Sequence, residues 1–361
     1  MPSISGFRVL SSCVALLVAA GGAAGAEPEP PRGVPPAVRA VAQAIAAELQ
    51  RGEHPGVTSF HLRVRGEAVA EFEDPALTRE NPDLRSATKS ITALLVGIAL
   101  DRGELASTEA RVVDLLPELA ATWRDGDGRR AMTVAHLLAM RSGLDCDDWD
   151  DKSPGHEDRM YRRRDWVEFW AAQRLREPPG ERFSYCTGNV VALGRILAGA
   201  TGMPVDRYAD EHLFGPLGIR GARWERWNRG REVDTGGHLR LAPRDLLRVG
   251  ELLLGRGEID GRRIVSAAWI ERITTERSDV PGRNERYGEL WWLARTTRSE
   301  LPATRLWMAW GNGGNFLVVL PELDAVMVAT GTRFHRPDAL EPLGWLAERL
   351  LPAFGPRPDG G

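Results

Sequence analysis

The chain has 361 residues, of which 43% are apolar, and it carries a formal net charge of −3 at pH 7. This length is enough for one large domain or for two closely packed lobes. A near-neutral balance with interspersed charges of both signs gives no general attraction to nucleic acid or to an anionic membrane surface, so we expect neither as a partner.

The first 26 residues have the pattern of a cleaved export signal. Arg8 precedes a short apolar run over 9–20, and the small residues at 24–26 follow as a cleavage site. The run is too short to span a bilayer. Glycines and prolines follow it at once, which argues against the alternative of a buried N-terminal helix. We therefore expect a periplasmic or secreted protein that starts near Glu27 and has no stable membrane span.

The start of the mature chain predicts a linker, a helix and a β-hairpin. Residues 27–36 are rich in proline and glutamate, which favours a stiff, polar linker. Apolar residues recur at helical spacing over 37–51, and alternation then follows in the segment VTSFHLRVRGEAVAEFE. The Arg65-Gly66-Glu67 sequence inside that segment predicts the turn of the hairpin.

The rest of the sheet is predicted from the C-terminal part of the chain. Two apolar strands flank a turn at 321–324, and a last helix is predicted over 338–351. Residues from about 86 to 280 are predicted to be mostly helical. We therefore predict one α/β (α+β) domain over 37–355, in which helices flank an antiparallel sheet built from both chain ends and a helical lobe is inserted. Residues 356–361 are predicted to be a flexible tail.

Lysine is almost absent from this chain, since only Lys89 and Lys152 occur among 47 basic residues. Lys89 follows Ser86 by three residues in a helix predicted to start after Arg85, with Ser86 at or near its N-terminus and Gly103 as its stop, so the two side chains share a face. A lysine whose pKa is lowered by burial and by the helix end can deprotonate a serine, whereas arginine cannot. We therefore predict a nucleophile and its base; the alternative is a helix-capping serine beside a surface lysine. Lys152 is predicted to be a solvated loop residue.

Two cysteines, Cys146 and Cys186, remain once the leader is removed. In an oxidising compartment an even pair suggests one disulfide. It would close a loop of about 40 residues, worth roughly 3–4 kcal/mol in the chain-entropy model. The alternative is two free thiols.

Motifs for other chemistries are missing from the sequence. It contains no Gly-x-Ser-x-Gly turn for a Ser-His-Asp hydrolase, no His-Glu-x-x-His and no Cys-x-x-Cys. Its seven histidines are spread along the chain. We therefore expect neither a metal nor a cofactor.

Four segments of the mature chain share their order and character with one protein superfamily. They are Ser86-Ala87-Thr88-Lys89, MTVAHLLAMRSGLD (132–145), FSYCTGNVVALGRIL (183–197) and WGNGGNFLVVLPELDAVMVATG (310–331). In this order they resemble the motifs of the serine β-lactamase and penicillin-binding superfamily. The resemblance covers nearly the whole mature chain and is greatest to class C β-lactamases, their esterase relatives and 6-aminohexanoate-dimer hydrolases.

The resemblance implies the remaining parts of a catalytic site. Tyr185 takes the tyrosine position of the second motif and would share proton transfer with Lys89. A backbone N–H within Asn312-Gly313-Gly314 would form the oxyanion hole together with the N–H of Ser86. The sequence leaves open which of the three residues donates; the alternative for this segment is a tight turn before a strand.

An aromatic substrate pocket is predicted around the last strands. Trp291, Trp292, Trp307 and Trp310 lie close together in the sequence, although core packing is the alternative for each. Alternation along a strand places Trp307 on the face opposite Trp310. We assign Trp310 to the pocket.

Two motif positions depart from those of the lactamases in the family. Tyr-x-Asn is replaced by Tyr185-Cys186-Thr187, and Lys-Thr-Gly by Gly311-Asn312-Gly313. The missing asparagine would bind a substrate amide, and the missing lysine would meet a substrate carboxylate. Arg305 and Arg333 are candidates to supply that cation.

We therefore predict an exported serine hydrolase that acts on a small-molecule ester or amide. Ser86 would form an acyl-enzyme, with Lys89 and Tyr185 moving the proton. The first alternative is a β-lactamase or D,D-carboxypeptidase. The second is a non-catalytic module that binds the cell wall, against which the complete set of three catalytic residues argues.

Overall fold

An eight-stranded antiparallel sheet forms the centre of the described chain. The structure is a computed structural model that describes residues 33–75 and 80–355. The predicted leader, linker residues 27–32 and the tail lie outside these ranges. The strands are β1 (Val57–Val64), β2 (Glu67–Glu73), β3 (Ser278–Asp279), β4 (Arg286–Tyr287), β5 (Trp292–Arg295), β6 (Arg305–Gly311), β7 (Asn315–Leu320) and β8 (Ala325–Gly331). Their order in the sheet is β2-β1-β8-β7-β6-β5-β4-β3.

Both ends of the chain contribute to this sheet, as predicted. The N-terminal hairpin of β1 and β2 turns at Arg65 and Gly66, whose φ angles of 51° and 76° fit a two-residue hairpin turn. β1 also pairs with β8, so the first and last strands lie side by side. The strands β7 and β8 flank the predicted turn, which forms a 3₁₀ turn over Pro321–Leu323.

Helices pack on both sides of the sheet and fill the middle of the sequence. In the described ranges they are α1 (Pro36–Gln50), α2 (Thr88–Asp101), α3 (Val112–Leu115), α4 (Val134–Leu138), α5 (Glu157–Met160), α6 (Trp166–Ala171), α7 (Thr187–Thr201), α8 (Val205–Ala209), α9 (Pro243–Leu254), α10 (Ala267–Ile273), α11 (Glu341–Trp345) and α12 (Leu351–Phe354). The predicted last helix is present, but a π-helical turn over Leu346–Leu350 separates α11 from α12. No helix in the described ranges has the length and apolar character needed to cross a bilayer.

The middle of the chain is less helical than predicted. Residues 139–186 contain two short helices, α5 and α6, and otherwise consist of turns and loops. Their sequence is rich in Asp, which favours turns and helix caps over helix interiors. Short paired strands lie further along, at Arg223–Trp224 with Leu239–Arg240, Arg226–Trp227 with Glu232–Val233, and Glu258–Ile259 with Arg262–Arg263.

Helix α2 is the centre of the helical layer. Every residue from Thr88 to Ala99 is buried, as expected for a helix that is apolar on nearly all sides. It packs against α7 on one side and against β6 on another. Consequently the N-terminal ends of α2 and α7, which carry the first and second motifs, lie near the end of β6, which carries the third.

Candidate active site

Ser86 lies in a tight turn directly before α2. Residues Arg85–Ala87 form a 3₁₀ turn, and Thr88 begins the helix. Arg85 adopts a left-handed φ of 51°, and its N–H donates to the Asp83 carboxylate at 2.8 Å. Asp83 also binds His238 at 2.8 Å. The turn that presents Ser86 is thus fixed by a side chain outside the predicted motif.

Lys89 is buried and bonded to Ser86, as the helical spacing predicts. Its Nζ donates to Ser86 Oγ at 3.0 Å and to the Gly236 carbonyl at 2.6 Å. Lys89 is only 1% exposed. The alternative of a surface lysine is wrong for Lys89, whereas Lys152 is exposed in its loop as predicted.

Tyr185 also lies close to the Lys89 amine. The Lys89 Nζ is 5.1 Å from the centroid of the tyrosine ring. Trp149 stacks on that ring at 5.2 Å between centroids, and Trp292 stacks at 5.9 Å. The structure therefore brings Tyr185, which is distant in the sequence, close to Ser86 and Lys89.

A disulfide fixes the segment that carries Tyr185. Cys146 and Cys186 are bonded, as predicted. The N–H of Asp148 donates to the Tyr185 carbonyl at 2.8 Å, and the Ser184 hydroxyl donates to the Cys146 carbonyl at 2.6 Å. The loop after α4 is thus tied to the start of α7.

Three carboxyl groups, Asp148, Glu157 and Asp234, form an acid cluster next to Lys89. Burial acts to lower the pKa of Lys89, but the negative charges of Tyr185 and of the acid cluster outweigh it and raise that pKa. The prediction of a lowered lysine pKa is therefore wrong for the resting site. That prediction considered burial and the helix end, but not the carboxylates that tertiary packing places next to the amine.

Hydrogen bonds hold two members of the acid cluster in place. Asp148 accepts from the backbone N–H of Glu157 at 2.9 Å and of Thr187 at 2.6 Å. Asp234 accepts from the N–H groups of Gly236 and Gly237, both at 2.9 Å. Because the Gly236 carbonyl binds Lys89, Asp234 positions the acceptor that orients the lysine.

Removal from water changes the acidity of the same groups. It raises the pKa of Asp148 and that of Asp234 to about 7. Burial also raises the pKa of Tyr185, although the charge of Lys89 and a hydrogen bond with Ser86 act to lower it. In the resting site the net effect of burial and the neighbouring charges is thus to raise the pKa of both Lys89 and Tyr185, so both groups hold their protons more tightly than free side chains do.

The end of β6 lies directly against the Ser86 turn. A Cβ added to Gly311 would lie 2.0 Å from the Leu84 carbonyl oxygen, so this contact requires glycine. Gly313 and Gly314 follow with positive φ angles of 95° and 94°, a conformation that glycine adopts readily.

The predicted oxyanion segment lies beside the nucleophile. Asn312, Gly313 and Gly314 line the same cavity as Ser86. The Asn312 amide oxygen accepts from the His335 N–H at 2.9 Å. That one backbone N–H of this segment forms the oxyanion hole with the N–H of Ser86 stays a prediction.

A cavity of about 370 Å³ opens over the catalytic residues. Its wall includes Ser86, Asp148, Trp149, Glu157, Tyr185, Arg283, Trp292, Trp310, His335 and Arg336. Trp307 lines a different cavity, which confirms that it faces away from Trp310. Trp291 is fully buried, so the alternative of core packing holds for that residue.

Neither predicted replacement for the missing lysine lines this cavity. Arg305 pairs with Glu322 at 2.6 Å, and Arg333 pairs with Glu341 at 2.5 Å. Arg283 lies there instead. Sequence reasoning missed it, together with Trp149 and the acid cluster; an aromatic residue inside the acidic segment DDWDDK was the one available signal. Over 33–75 and 80–355, no group of three or more His, Cys, Asp or Glu side chains is placed to hold a metal ion.

Comparison with known proteins gives a family and a fold. The family model described as Beta-lactamase matches residues 41–349. The 6-aminohexanoate-dimer hydrolase of Paenarthrobacter ureafaciens is 26% identical over 295 residues, which cover 75% of this chain and 71% of that protein.

Two solved structures share the fold at low identity. EstCE1, a hydrolase with promiscuous acyltransferase activity, has a TM-score of 0.68 at 16% identity, with 88% of this chain and 98% of that chain covered. A penicillin-binding protein homologue from Caulobacter crescentus has a TM-score of 0.65 at 20% identity, with 89% and 98% covered. Together with the family match, these findings show that the chain belongs to the β-lactamase family and is a serine hydrolase of the β-lactamase and penicillin-binding superfamily.

Proposed function

We propose that this chain is an exported hydrolase that cleaves an ester or amide of a small molecule through an acyl-enzyme on Ser86. The observation that carries the proposal is the 3.0 Å contact between Lys89 Nζ and Ser86 Oγ in a buried site that opens to a cavity. Export is inferred from the leader pattern of residues 1–26.

The reaction begins when the pair formed by Lys89 and Tyr185 releases one proton to solvent, which leaves a base next to Ser86 Oγ. The pair then accepts the proton of Ser86 while Oγ attacks the substrate carbonyl carbon. Backbone N–H groups of Ser86 and of the 312–314 segment stabilise the oxyanion. The bond to the alcohol or amine breaks, and the pair returns the proton to that leaving group. Water then attacks the acyl-enzyme and gives a proton to the same pair. The pair returns that proton to Ser86 Oγ as the bond to the acyl carbon breaks, and the acid leaves.

The contacts at the two motif positions that differ from those of the lactamases favour a simple ester or amide over a β-lactam. Thr187 replaces the asparagine, is fully buried, and donates to Glu157 at 2.6 Å. Its hydroxyl is therefore committed to the acid cluster. Gly311 replaces the lysine and has no side chain to meet a carboxylate, and the next residue, Asn312, accepts from the His335 N–H. The name of the 6-aminohexanoate-dimer hydrolase, a relative that covers most of the chain, also supports an amide substrate.

A fluorophosphonate probe tests the nucleophile. We expect the native protein to be labelled, the heat-denatured protein and Ser86→Ala to be unlabelled, and the adduct to lie on Ser86 by mass spectrometry. Equal labelling of Ser86→Ala would assign the reaction to another group. Complete failure to label would favour the cell-wall-binding module.

The lactamase alternative is separated from the proposal by a substrate panel. We expect p-nitrophenyl esters and p-nitroanilides to be turned over much faster than nitrocefin. Nitrocefin turnover comparable to that of the esters would instead support a β-lactamase or D,D-carboxypeptidase.

A further inference from the structure

One guanidinium lies among the tryptophans of the catalytic cavity. The Arg283 Cζ is 5.0 Å from the ring centroid of Trp149, 5.2 Å from that of Trp310 and 5.5 Å from that of Trp292. All three distances are within the range of cation–π attraction. Arg283 belongs to the connection between β3 and β4, where its N–H donates to the Val280 carbonyl at 3.1 Å.

The charge of Arg283 is not neutralised by any described side chain. Throughout 33–75 and 80–355, no carboxylate lies within ion-pair distance of it, and its side chain donates no hydrogen bond. Contact with ring faces leaves the N–H donors at the edge of the planar guanidinium available. Arg336 lines the same cavity, but it is bonded to Asp338 at 2.8 and 2.9 Å.

The acids in this cavity do not supply the missing partner. Asp148 accepts two backbone N–H groups, and Glu157 accepts the Thr187 and Tyr161 hydroxyls. Both also face the Lys89 amine, which draws on their charge. Arg283 is exposed at the edge of the cavity, and its hydrogen-bonding capacity is thus open to whatever enters there.

We propose that Arg283 binds a carboxylate of the substrate, so that the enzyme prefers esters or amides with an anionic group remote from the scissile carbonyl. The inference rests on the proposed function, because it places that substrate over Ser86. A fork of N–H donors held by aromatic faces suits a carboxylate, which it binds through two parallel hydrogen bonds. The tryptophan faces would hold the aliphatic part of the same molecule.

Matched esters test the inference in the full-length enzyme. We would measure kcat/KM for p-nitrophenyl butyrate, for the anionic mono-p-nitrophenyl succinate and for the cationic p-nitrophenyl 4-aminobutyrate. In Arg283→Gln we expect the ratio of anionic to neutral ester to fall about tenfold, as for a hydrogen-bonded charge in a partly open site. Arg283→Lys is expected to restore part of the ratio, and salt to lower it in the wild type but not in Arg283→Gln.

Arg305→Gln is the control variant, because Arg305 also lies over a tryptophan ring, that of Trp307, at 5.3 Å but lines another cavity. It is expected to leave the ratio unchanged. An unchanged ratio in Arg283→Gln would overturn the inference. A gain for the cationic ester in that variant is expected as well, because loss of the guanidinium removes a like-charge repulsion.

A binding measurement keeps the inference testable apart from turnover. Glutarate is added to Ser86→Ala while tryptophan fluorescence is recorded. Saturable quenching in Ser86→Ala that is lost in the double variant Ser86→Ala/Arg283→Gln supports the carboxylate site. Absence of quenching in both proteins contradicts it. Failure of every ester together with failure of probe labelling would count against the proposed function, whereas hydrolysis with an unchanged ratio would count against Arg283 alone.

Discussion

The two faces of strand β6 carry cavities of similar size, and each cavity has an arginine over a tryptophan ring. One cavity contains Trp310, with Arg283 at 5.2 Å from its ring, and measures about 370 Å³. The other contains Trp307, with Arg305 at 5.3 Å, and measures about 310 Å³. Aromatic rings, an arginine and open volume are thus present on both faces.

The difference lies in buried charge. The first cavity adjoins the Lys89 amine, a residue that is 1% exposed, and the acid cluster. In the second cavity, Arg305 is paired with Glu322 near the surface. Burial of several ionisable groups is costly, so a fold keeps them where they perform a task. The comparison teaches that a buried lysine bonded to a serine identifies the functional face better than the tryptophans do.

The strongest test of this difference is Lys89→Arg. The variant keeps a positive charge but cannot release a proton, so we expect kcat/KM to fall roughly a thousandfold. Lys152→Arg changes the other lysine of the chain, which lies exposed in a loop, and serves as the matched control. Esterase assays on both would check the prediction. Turnover retained in Lys89→Arg would remove the chemical distinction between the two faces.

Gly311→Ala tests how closely β6 must approach the nucleophile. The new Cβ would meet the Leu84 carbonyl oxygen at 2.0 Å and the Ala87 nitrogen at 3.2 Å, both of which are backbone atoms. The Ser86 turn must therefore shift, and we expect kcat to fall about a hundredfold. Gly199→Ala in α7, where nothing lies within 4 Å of the added Cβ, is the control. Near-normal kcat in Gly311→Ala would show that the turn tolerates displacement.

Asp234→Asn tests the acid cluster through pH. The change keeps an oxygen for the N–H groups of Gly236 and Gly237 and removes a charge that raises the pKa of Lys89. The neutral amine then persists to lower pH, so we expect the acid limb of the kcat/KM profile to move down by about one pH unit, or tenfold in rate at fixed pH. Asp279→Asn, an exposed change on β3, is expected to leave the profile in place. An unmoved limb in Asp234→Asn would separate the acid cluster from Lys89.

Asp234→Asn is also expected to change how the free energy of unfolding depends on pH. Burial holds the pKa of Asp234 at about 7 in the folded protein, well above its usual value near 4. Between about pH 4 and 7 the folded state keeps a proton that the unfolded state has lost, so the free energy of unfolding falls as pH rises through this window. Urea unfolding of Asp234→Asn is expected to show a shallower decline, and an identical decline would contradict the assignment.

The parts of the site that depend on local spacing could be predicted from the sequence. Ser86 and Lys89 are three residues apart on a helix, which alone places them on one face. The hairpin of β1 and β2 follows from alternation and a two-residue turn. Tyr185 required the family resemblance, because it lies 99 residues after Ser86 and the chain between them carries no local signal of its approach.

The acid cluster could not be predicted in the same way. Asp148, Glu157 and Asp234 come from three separate segments, and a sequence that is rich in exposed carboxylates gives no sign of which will be buried. The direction of the Lys89 pKa was predicted wrongly for that reason. Arg283 was missed because its role depends on tryptophans brought together from a loop and two strands.

The smallest expected effect comes from replacing one tryptophan by phenylalanine on each face of β6. Trp310→Phe shortens the wall of the Ser86 cavity and its contacts with Trp292 and Arg283, so we expect KM for the esters to rise about threefold. Trp307→Phe makes the same change on the opposite face and is expected to alter thermal stability but not KM. A larger rise in KM for Trp307→Phe would mean that substrate reaches the second cavity. Equal and negligible changes would leave catalysis to the buried charges alone, with the tryptophans serving as packing on both faces.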